Sequence, residues 1–307
     1  MLNIPIAGNR LALFRDTGPA DAQAPRRRDR SDVLLSGAAT GGEIRLEQLR
    51  VRLGQGRAAV QAVDGVDLHI APGEFVSVVG PSGCGKSTLL NIVAGFIEAD
   101  EGSVTLDGQP IQGPGPERGV VFQQYSLFPW LTVRGNVEYG LRARGVPRHE
   151  RRETVDELLS RCGLRGFADH YPEQLSGGMR QRVGIVRALA NQPRVLLLDE
   201  PFGALDAQTR AVMQEILLDI WTRFGTSVLF ITHDIEEAVF LSDRVYTMTA
   251  RPGRIKQELR INLPRPRSYS QLESPEAQTL VHRLRSAIRE ESLKSMGAEL
   301  PLDLASG

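Results

Sequence analysis

A glycine-rich segment between two apolar stretches constrains this chain more than any other feature of its sequence. It reads Gly80-Pro81-Ser82-Gly83-Cys84-Gly85-Lys86-Ser87, with two glycines five positions apart before a Lys-Ser pair. Phe75 to Val79 before it forms a strand-sized apolar run, and apolar residues at helical spacing follow between Leu89 and Val93. In a strand, loop and helix of this kind, backbone N–H groups converge on an anion. The spacing therefore predicts a phosphate-binding loop, or P-loop, in an α/β fold.

The polar residues of this loop have distinct predicted tasks around a nucleoside triphosphate such as ATP. Lys86 is expected to reach the β- and γ-phosphates, the Ser87 hydroxyl to bind Mg²⁺, and the Thr88 hydroxyl to lie near the α-phosphate. A chance glycine turn is the alternative, but the chain has only three lysines and one of them stands at the required position. Cys84 occupies a tolerant position of the pattern and is interpreted as a small packing residue.

Two adjacent carboxylates follow a second apolar run, Leu196-Leu197-Leu198. Successive residues of a strand point in different directions, so Asp199 and Glu200 can have different tasks. Asp199 suits Mg²⁺, whereas Glu200 suits a water molecule that it would orient and deprotonate for attack on the γ-phosphate. An Asp-Glu pair alone is weak evidence, but together with the P-loop it predicts ATP hydrolysis.

Three further groups are predicted at strand ends that face the γ-phosphate. Gln123 follows an apolar strand and is expected to touch both Mg²⁺ and the water. His233, after another strand, is expected to donate a hydrogen bond to a γ-phosphate oxygen. Asp206, in Gly203-Ala204-Leu205-Asp206, is the third group predicted to face the γ-phosphate from a strand end. Each residue alone is more often structural, and their joint placement favours a function.

A second anion-binding helix end is predicted in Leu175-Ser176-Gly177-Gly178-Met179-Arg180-Gln181-Arg182. The Ser176 hydroxyl and the N–H groups of Gly177 and Gly178 lie where a helix begins, and its dipole supplies roughly half a positive charge there. Met179, Val183 and Val186 form one apolar face of this helix.

Alternation of strands and helices along the chain favours a mainly parallel sheet. Residues 1–42 lack helical or strand periodicity and are expected to form a disordered extension. Residues 43–267 are expected to form the main domain, with a helical insert at about 124–177. Residues 268–307 are expected to form a helical tail, in which Leu280, Leu284 and Ile288 share a face that packs on the domain edge.

Charge balance, cysteine content and the length of the apolar runs each exclude one class of function or location. Lys plus Arg equal Asp plus Glu at 37 each, so no overall field attracts nucleic acid. The two cysteines do not form a disulfide framework, which favours a cytoplasmic protein. The longest apolar runs are far short of the roughly 20 residues that span a bilayer, so the chain is not expected to cross one.

The motifs together resemble the ATPase subunit of ABC transporters, because the P-loop, Gln123, LSGGMRQR, LLLDEP and Ile231-Thr232-His233-Asp234 occur in that family's order. The resemblance covers about 44–267. It implies an ABC cassette with a mainly parallel RecA-like sheet, an antiparallel β subdomain and a helical subdomain. It also implies a head-to-tail homodimer, in which Ser176 to Gly178 of one subunit close over ATP held by Lys86 of the other, and Asp206 helps to join the two sites.

In this family the helical insert beside Gln123 receives a coupling helix of a membrane permease. Residues 127–131, Leu-Phe-Pro-Trp-Leu, are the candidate for that contact. A core aromatic cluster is the alternative, and both can hold together.

Two segments, 113–123 and Ala250-Arg251-Pro252-Gly253-Arg254-Ile255, are similar to the branch that imports nitrate, sulfonate, taurine and bicarbonate. This resemblance implies an energy-coupling subunit at the cytoplasmic face of a bacterial inner membrane, serving permease subunits and, indirectly, a periplasmic solute-binding protein. The family usually has an aromatic residue near Leu53 to stack on adenine, and this chain has Leu there. A soluble ABC ATPase acting on DNA or ribosomes is the alternative, but it would need a coiled-coil insertion or two tandem cassettes. A nucleotide sensor without turnover would be expected to lack Glu200.

Overall fold

The structure is a computed structural model that describes residues 41–54, 56, 59–123, 126–203 and 205–299. Within these residues the chain forms ten strands and seven α-helices. The strands are β1 (Ile44–Leu53), β2 (Val60–Ile70), β3 (Phe75–Val79), β4 (Glu101–Leu106), β5 (Gln109–Pro110), β6 (Arg118–Val121), β7 (Val195–Asp199), β8 (Ser227–Ile231), β9 (Arg244–Met248) and β10 (Ile255–Arg260). The α-helices are α1 (Lys86–Ala94), α2 (Val133–Ala143), α3 (Arg148–Arg161), α4 (Gly177–Ala190), α5 (Ala207–Phe224), α6 (Ile235–Leu241) and α7 (Pro275–Glu299).

The larger sheet has six strands in the order β10-β9-β3-β8-β7-β6. Five of them run parallel, and only β10 is antiparallel, beside β9. The central strands are continuous apolar runs because both faces are covered. Leu196 and Leu198 pack into a core with the helices, whereas Val195 and Leu197 pack into a second core with the smaller sheet and α1. The predicted mainly parallel sheet is therefore confirmed, and the carboxyl ends of its strands meet at one edge.

The smaller sheet has the order β2-β1-β4-β5 and is antiparallel throughout. Its β2 residues Val66, Leu68 and Ile70 are buried, as their alternation with polar residues predicts. This sheet packs on α1 through the second core, so it lies beside the P-loop.

Helices α2 and α3 and two short 3-10 turns at Arg165–Phe167 and Pro172–Gln174 form the helical insert between β6 and α4. They bury Val137, Leu158 and Leu164 in the same core as α4. Asn136 is fully buried there, and its amide donates to the carbonyl oxygens of residues 128, 131 and 132. These bonds fix the turn that carries the exposed side chain of Trp130.

Helix α7 packs on α6 and β9. Leu284 is fully buried, and Leu280 and Ile288 pack beside it, which confirms the predicted apolar face. In the described part of the chain, no helix is both long enough and apolar enough to cross a bilayer.

The structure adds elements that the sequence patterns did not predict. Strand β10 carries charged residues, and α6 is only seven residues long, so neither shows a clear period. The predicted N-terminal extension lies outside the described residues up to residue 40. Gly42, the last residue of that predicted extension, is buried, and its N–H donates to Arg194 O at 3.0 Å.

Candidate active site

The P-loop joins β3 to α1, and its backbone depends on two glycines. Gly83 and Gly85 have φ values of +73° and +101°, a region that residues with a side chain rarely adopt. A Cβ at Gly85 would also lie 2.8 Å from the carbonyl oxygen of Ala62. The first turn of α1 contains no acidic residue, so nothing in it opposes the positive end of the helix dipole. The loop is thus shaped and polarised for an anion.

Lys86 is buried, and its ammonium group lies against its own loop. Its Nζ donates to Gly80 O at 2.9 Å and to Pro81 O at 2.8 Å. The Cys84 sulfur lies 3.8 Å from the same nitrogen. Burial raises the pKa of the Cys84 thiol, although the nearby Lys86 charge opposes this, so the thiol is protonated at neutral pH. This supports the interpretation of Cys84 as a packing residue.

Ser87 and Asp199 lie together, as expected for two ligands of one cation. Ser87 Oγ donates to Asp199 Oδ1 at 3.2 Å. Burial raises the pKa of Asp199, and the neighbouring Glu200 charge raises it further, although the hydrogen bond from Ser87 and the Lys86 charge act to lower it. Such an oxygen pair suits Mg²⁺. Among the described residues, no group of three or more His, Cys, Asp and Glu could hold a metal, so phosphate oxygens and water would have to complete the coordination.

Glu200 holds a strained position at the end of β7. Its φ is +44°, in the left-handed region, where a residue with a side chain costs about 1–3 kcal/mol. Its N–H donates to Ile231 O at 2.9 Å, which ties this turn to the end of β8. Gln123 Nε2 donates to Glu200 Oε2 at 3.1 Å, and His233 Nδ1 lies 3.2 Å from the same oxygen. The ends of β6, β7 and β8 thus meet at the Glu200 carboxylate.

A polar network lies behind His233, and its members Arg210, Gln214 and Glu237 lie outside the sequence motifs. Thr232 Oγ1 donates to Glu237 Oε2 at 2.7 Å, and Gln214 Nε2 donates to Glu237 Oε1 at 3.0 Å. Asp234 caps α6, and Arg210 lies 3.2 Å from its carboxylate. The turn that carries His233 is therefore held by groups from α5 and α6.

Ser176 caps α4, and its Oγ accepts a hydrogen bond from Met179 N at 3.3 Å. Gly178 allows close packing, because a Cβ there would lie 2.7 Å from Thr209 Cγ2 of α5. Asp206 caps α5 by accepting from Thr209 N at 2.9 Å. The placement of Asp206 at a strand end is therefore wrong. It begins a helix, and it lies with Ser176 on an exposed surface where α4 and α5 meet.

A cavity of about 680 Å³ opens above the P-loop. Eight predicted site residues line it: Ser82, Gly83, Gly85, Lys86, Ser87, Thr88, Gln123 and Glu200. Leu53, Gly54, Val60, Ala62 and Arg251 complete its described wall. The described wall does not include Ser176, Gly177, Gly178 or Asp206, so one copy of the chain does not bring the two predicted anion sites together.

A larger cavity of about 820 Å³ lies between the smaller sheet and β9–β10. Its arginines face carboxylates, because Arg50 and Arg254 pair with Asp64, and Arg244 pairs with Glu258. The described lining of this cavity holds paired charges and not the P-loop or the carboxylates at the strand ends, which line the smaller cavity.

A parallel sheet with a P-loop and a carboxylate at its carboxyl edge defines a nucleotide-binding ATPase. The family model described as ABC transporter matches residues 63–203. The nitrate import ATP-binding protein NrtD of Synechocystis is 55% identical over 215 residues, which are 70% of this chain and 80% of that protein. The chain therefore belongs to the ABC transporter family of ATP-binding proteins.

Two other comparisons agree with this assignment. The taurine import ATP-binding protein TauB of Yersinia pestis is 55% identical over 208 residues, which are 68% of this chain and 80% of that protein. A dimeric ATP-binding cassette in a post-hydrolysis state, bound to ADP and Pi, matches with a TM-score of 0.64 and 35% identity. That match covers 72% of this chain and 100% of the other. The chain is thus an ATP-binding ATPase with the fold of an ABC cassette.

Proposed function

We propose that this chain is the energy-coupling subunit of a bacterial importer for a small anion such as nitrate, sulfonate or taurine. The observation that carries the proposal is the convergence of Gln123, Glu200 and His233 beside the loop of Lys86. The solute class is supported by the names of the relatives, two of which import nitrate and taurine. Selection of the solute then belongs to the permease and to a periplasmic solute-binding protein.

In the proposed reaction, Glu200 takes a proton from water as the water oxygen attacks the γ-phosphorus of ATP. The bond from the γ-phosphorus to the bridging oxygen breaks, and Lys86 neutralises charge on the phosphates. Gln123 and His233 hold Glu200 Oε2, which leaves Oε1 to accept the proton. The left-handed backbone at Glu200 turns the side chain off the sheet edge toward the cavity.

Ser87, Asp199 and Gln123 are the proposed ligands of Mg²⁺. The Ser87–Asp199 hydrogen bond places two hard oxygen donors side by side, which fits this cation. When bound with the nucleotide, Mg²⁺ would neutralise phosphate charge.

A second copy of the chain is the proposed source of the remaining contacts. Ser176, Gly177, Gly178 and Asp206 lie outside the described cavity wall of their own chain, yet Ser176 and Asp206 are exposed at adjoining helix starts. A head-to-tail dimer would bring this surface over the nucleotide of the partner. ATP binding would then close the dimer, and hydrolysis would reopen it.

The permease is proposed to dock beside Trp130, at the cytoplasmic face of the inner membrane. The Trp130 side chain is 70% exposed, and its ring lies 5.6 Å from that of Phe128. Phe128 in turn packs on Tyr139 at 4.5 Å and under the Arg187 guanidinium. The exposed Trp130 ring thus lies on an aromatic cluster that is itself only partly buried, because Phe128 is half-buried and Tyr139 is exposed. An exposed ring on a fixed turn is suited to insertion into a partner.

Affinity capture of the tagged chain from detergent-solubilised membranes tests this function. The proposal requires recovery of integral-membrane permease subunits, and cells carrying Lys86→Ala should lose uptake of the solute. Recovery of DNA or ribosomes without a permease would instead support a soluble ATPase.

A further inference from the structure

The cavity above the P-loop has an aliphatic wall formed by the smaller sheet. Leu53 and Val60 stand at the facing ends of β1 and β2, and their residues are 41% and 44% exposed. The segment between them, Gly-Gln-Gly-Arg-Ala-Ala, contains no aromatic residue. Among the described residues that line the cavity, none has an aromatic ring. A purine therefore finds aliphatic contact on this wall but no aromatic face.

Arg251 supplies a flat, delocalised side chain at the same cavity. Its Nε donates to Gly83 O at 3.2 Å, and its Nη2 and Cζ would lie 2.8 Å and 3.8 Å from a Cβ at Gly83. The guanidinium group thus rests on the P-loop backbone in space that a glycine leaves open. Arg251 is exposed, and no carboxylate in the described part of the chain pairs with it. Its remaining N–H groups and its planar face are available to a ligand.

The loop that carries Arg251 is firmly attached to the P-loop and to β2. Gly253 N donates to Ala62 O at 3.0 Å, and Asp64 N donates to Gly253 O at 2.9 Å. A Cβ at Gly253 would collide with the carbonyl oxygen of Cys84, so this loop lies directly on the P-loop. The position of the Arg251 backbone is therefore set before any nucleotide binds, which reduces the ordering cost of a contact.

Helix α7 anchors the other side of this loop. Glu291 Oε2 accepts a hydrogen bond from Ala250 N at 3.1 Å, immediately before Arg251. The Glu291 side chain is only 4% exposed, and its Oε1 lies 2.7 Å from Lys256 Nζ and 2.8 Å from Lys294 Nζ. A buried, doubly paired carboxylate is a rigid support, so the loop is held from both sides.

We propose that Arg251 is a nucleotide-contacting residue whose guanidinium group stacks on the adenine base of ATP. A guanidinium is planar and weakly hydrated, and it stacks well on aromatic rings, whereas an ammonium group does not. Lys86 already provides the cation of the loop for the phosphates. Arg251 lines the cavity together with Leu53 and Val60, so in this proposal it serves the adenine base. The aliphatic Leu53 and Val60 then contact the base edge or its opposite face.

The test compares two ligands on three variants of the full chain by isothermal titration calorimetry. The ligands are Mg-ATP and Mg-tripolyphosphate, which lacks the base. Arg251→Ala and Arg251→Lys should each weaken Mg-ATP binding about ten-fold or more, the range expected for the loss of base stacking. Arg251→Lys should leave tripolyphosphate binding at the wild-type level. Arg254→Ala is the matched control, because Arg254 lies in the same loop but pairs with Asp64 and does not line this cavity.

Two results would overturn the proposal. Wild-type Mg-ATP affinity in Arg251→Ala would show that the side chain makes no contact that matters. Equal weakening of both ligands by Arg251→Ala, with recovery of both in Arg251→Lys, would show that the charge serves the phosphates and not the base. A wild-type chain that binds neither ligand would refute ATP binding by this protein. That result differs from the two above, which refute only the role proposed for Arg251. Unchanged melting temperatures of the Arg251 variants confirm that they are folded.

Discussion

Gln123 Nε2 donates to Glu200 Oε2 at 3.1 Å, across the gap between the ends of two neighbouring parallel strands. The two residues are 77 positions apart in the chain, and the sheet brings them together. His233 lies on the same oxygen from a third strand end. Oε2 of Glu200, the proposed general base, is thus held by two side chains. This fixes the orientation of the carboxylate toward the attacking water.

The first prediction concerns Glu200→Gln, which keeps the shape of the side chain but removes its basicity. Turnover of ATP should fall by about 10²-fold or more, while Mg-ATP binding persists, because the lost interaction acts mainly on the attacking water. Phosphate release in steady state and ATP binding by calorimetry check both parts. Near-normal phosphate release would remove Glu200 from its role as base.

The second prediction concerns Ser176→Arg at the start of α4. Mg-ATP binding to single chains should be unchanged, because the described cavity wall does not include Ser176. Hydrolysis should be abolished, because the arginine would prevent Ser176 from closing over the ATP of the partner copy. Ser160→Arg is the matched control, since Ser160 is an exposed serine on α3. Hydrolysis at the wild-type rate in Ser176→Arg would contradict a site shared between two copies.

A third prediction concerns Trp130→Ala on the exposed turn. The variant should hydrolyse ATP at the wild-type rate in isolation, because Trp130 does not touch the cavity, but it should recover much less permease from solubilised membranes. Leu293→Ala is the control, because Leu293 is a similarly exposed apolar residue, 59% exposed, on α7. Equal recovery of permease by both variants would move the docking site elsewhere.

The fourth prediction is a pH dependence of stability that comes from Glu291. Burial acts to raise the pKa of Glu291, but hydrogen bonds from Lys256, Lys294 and the Ala250 N–H outweigh it and lower the pKa from 4.5 to about 2. Because the folded pKa is depressed, the stabilisation is complete above pH 4.5 and is lost as the pH falls toward about 2.

Glu291→Gln should therefore reduce the free energy of unfolding by about 1–3 kcal/mol at neutral pH, and this difference from wild type should shrink below pH 4.5. Urea unfolding at pH 7, 4.5 and 3 measures it. Glu290→Gln is the control, with a smaller effect, because Glu290 contacts the same lysines from an exposed position. A difference that stays constant down to pH 3 would disprove this origin.

The sequence predicts those parts of the site that depend on local patterns. The P-loop, the apolar run before Asp199 and the Ser cap of α4 each occupy one short segment, and their type follows from spacing alone. The left-handed backbone of Glu200 has no local signal in the sequence, because it accompanies a hydrogen bond from Glu200 N to Ile231 O at the end of a neighbouring strand. Asp206 was misplaced because a strand end and a helix cap favour the same residue types.

Arg251 shows a different limit of sequence reasoning. It lies 168 positions from Gly83, and no spacing rule connects the two. Their contact arises because β9 pairs with β3, so that the loop after β9 is carried beside the loop after β3. The sequence shows only that the segment around Arg251 resembles an importer branch. Its position beside the nucleotide cavity is visible only in the folded structure.

Sedimentation velocity of the Glu200→Gln chain, with and without Mg-ATP, tests most directly whether ATP lies between the Lys86 loop of one copy and the Ser176 helix end of another. The predicted result is a shift from monomer to dimer when Mg-ATP is added, and no shift in a double variant that also carries Ser176→Arg. A chain that binds Mg-ATP yet stays monomeric, or a double variant that still dimerises fully, would contradict it.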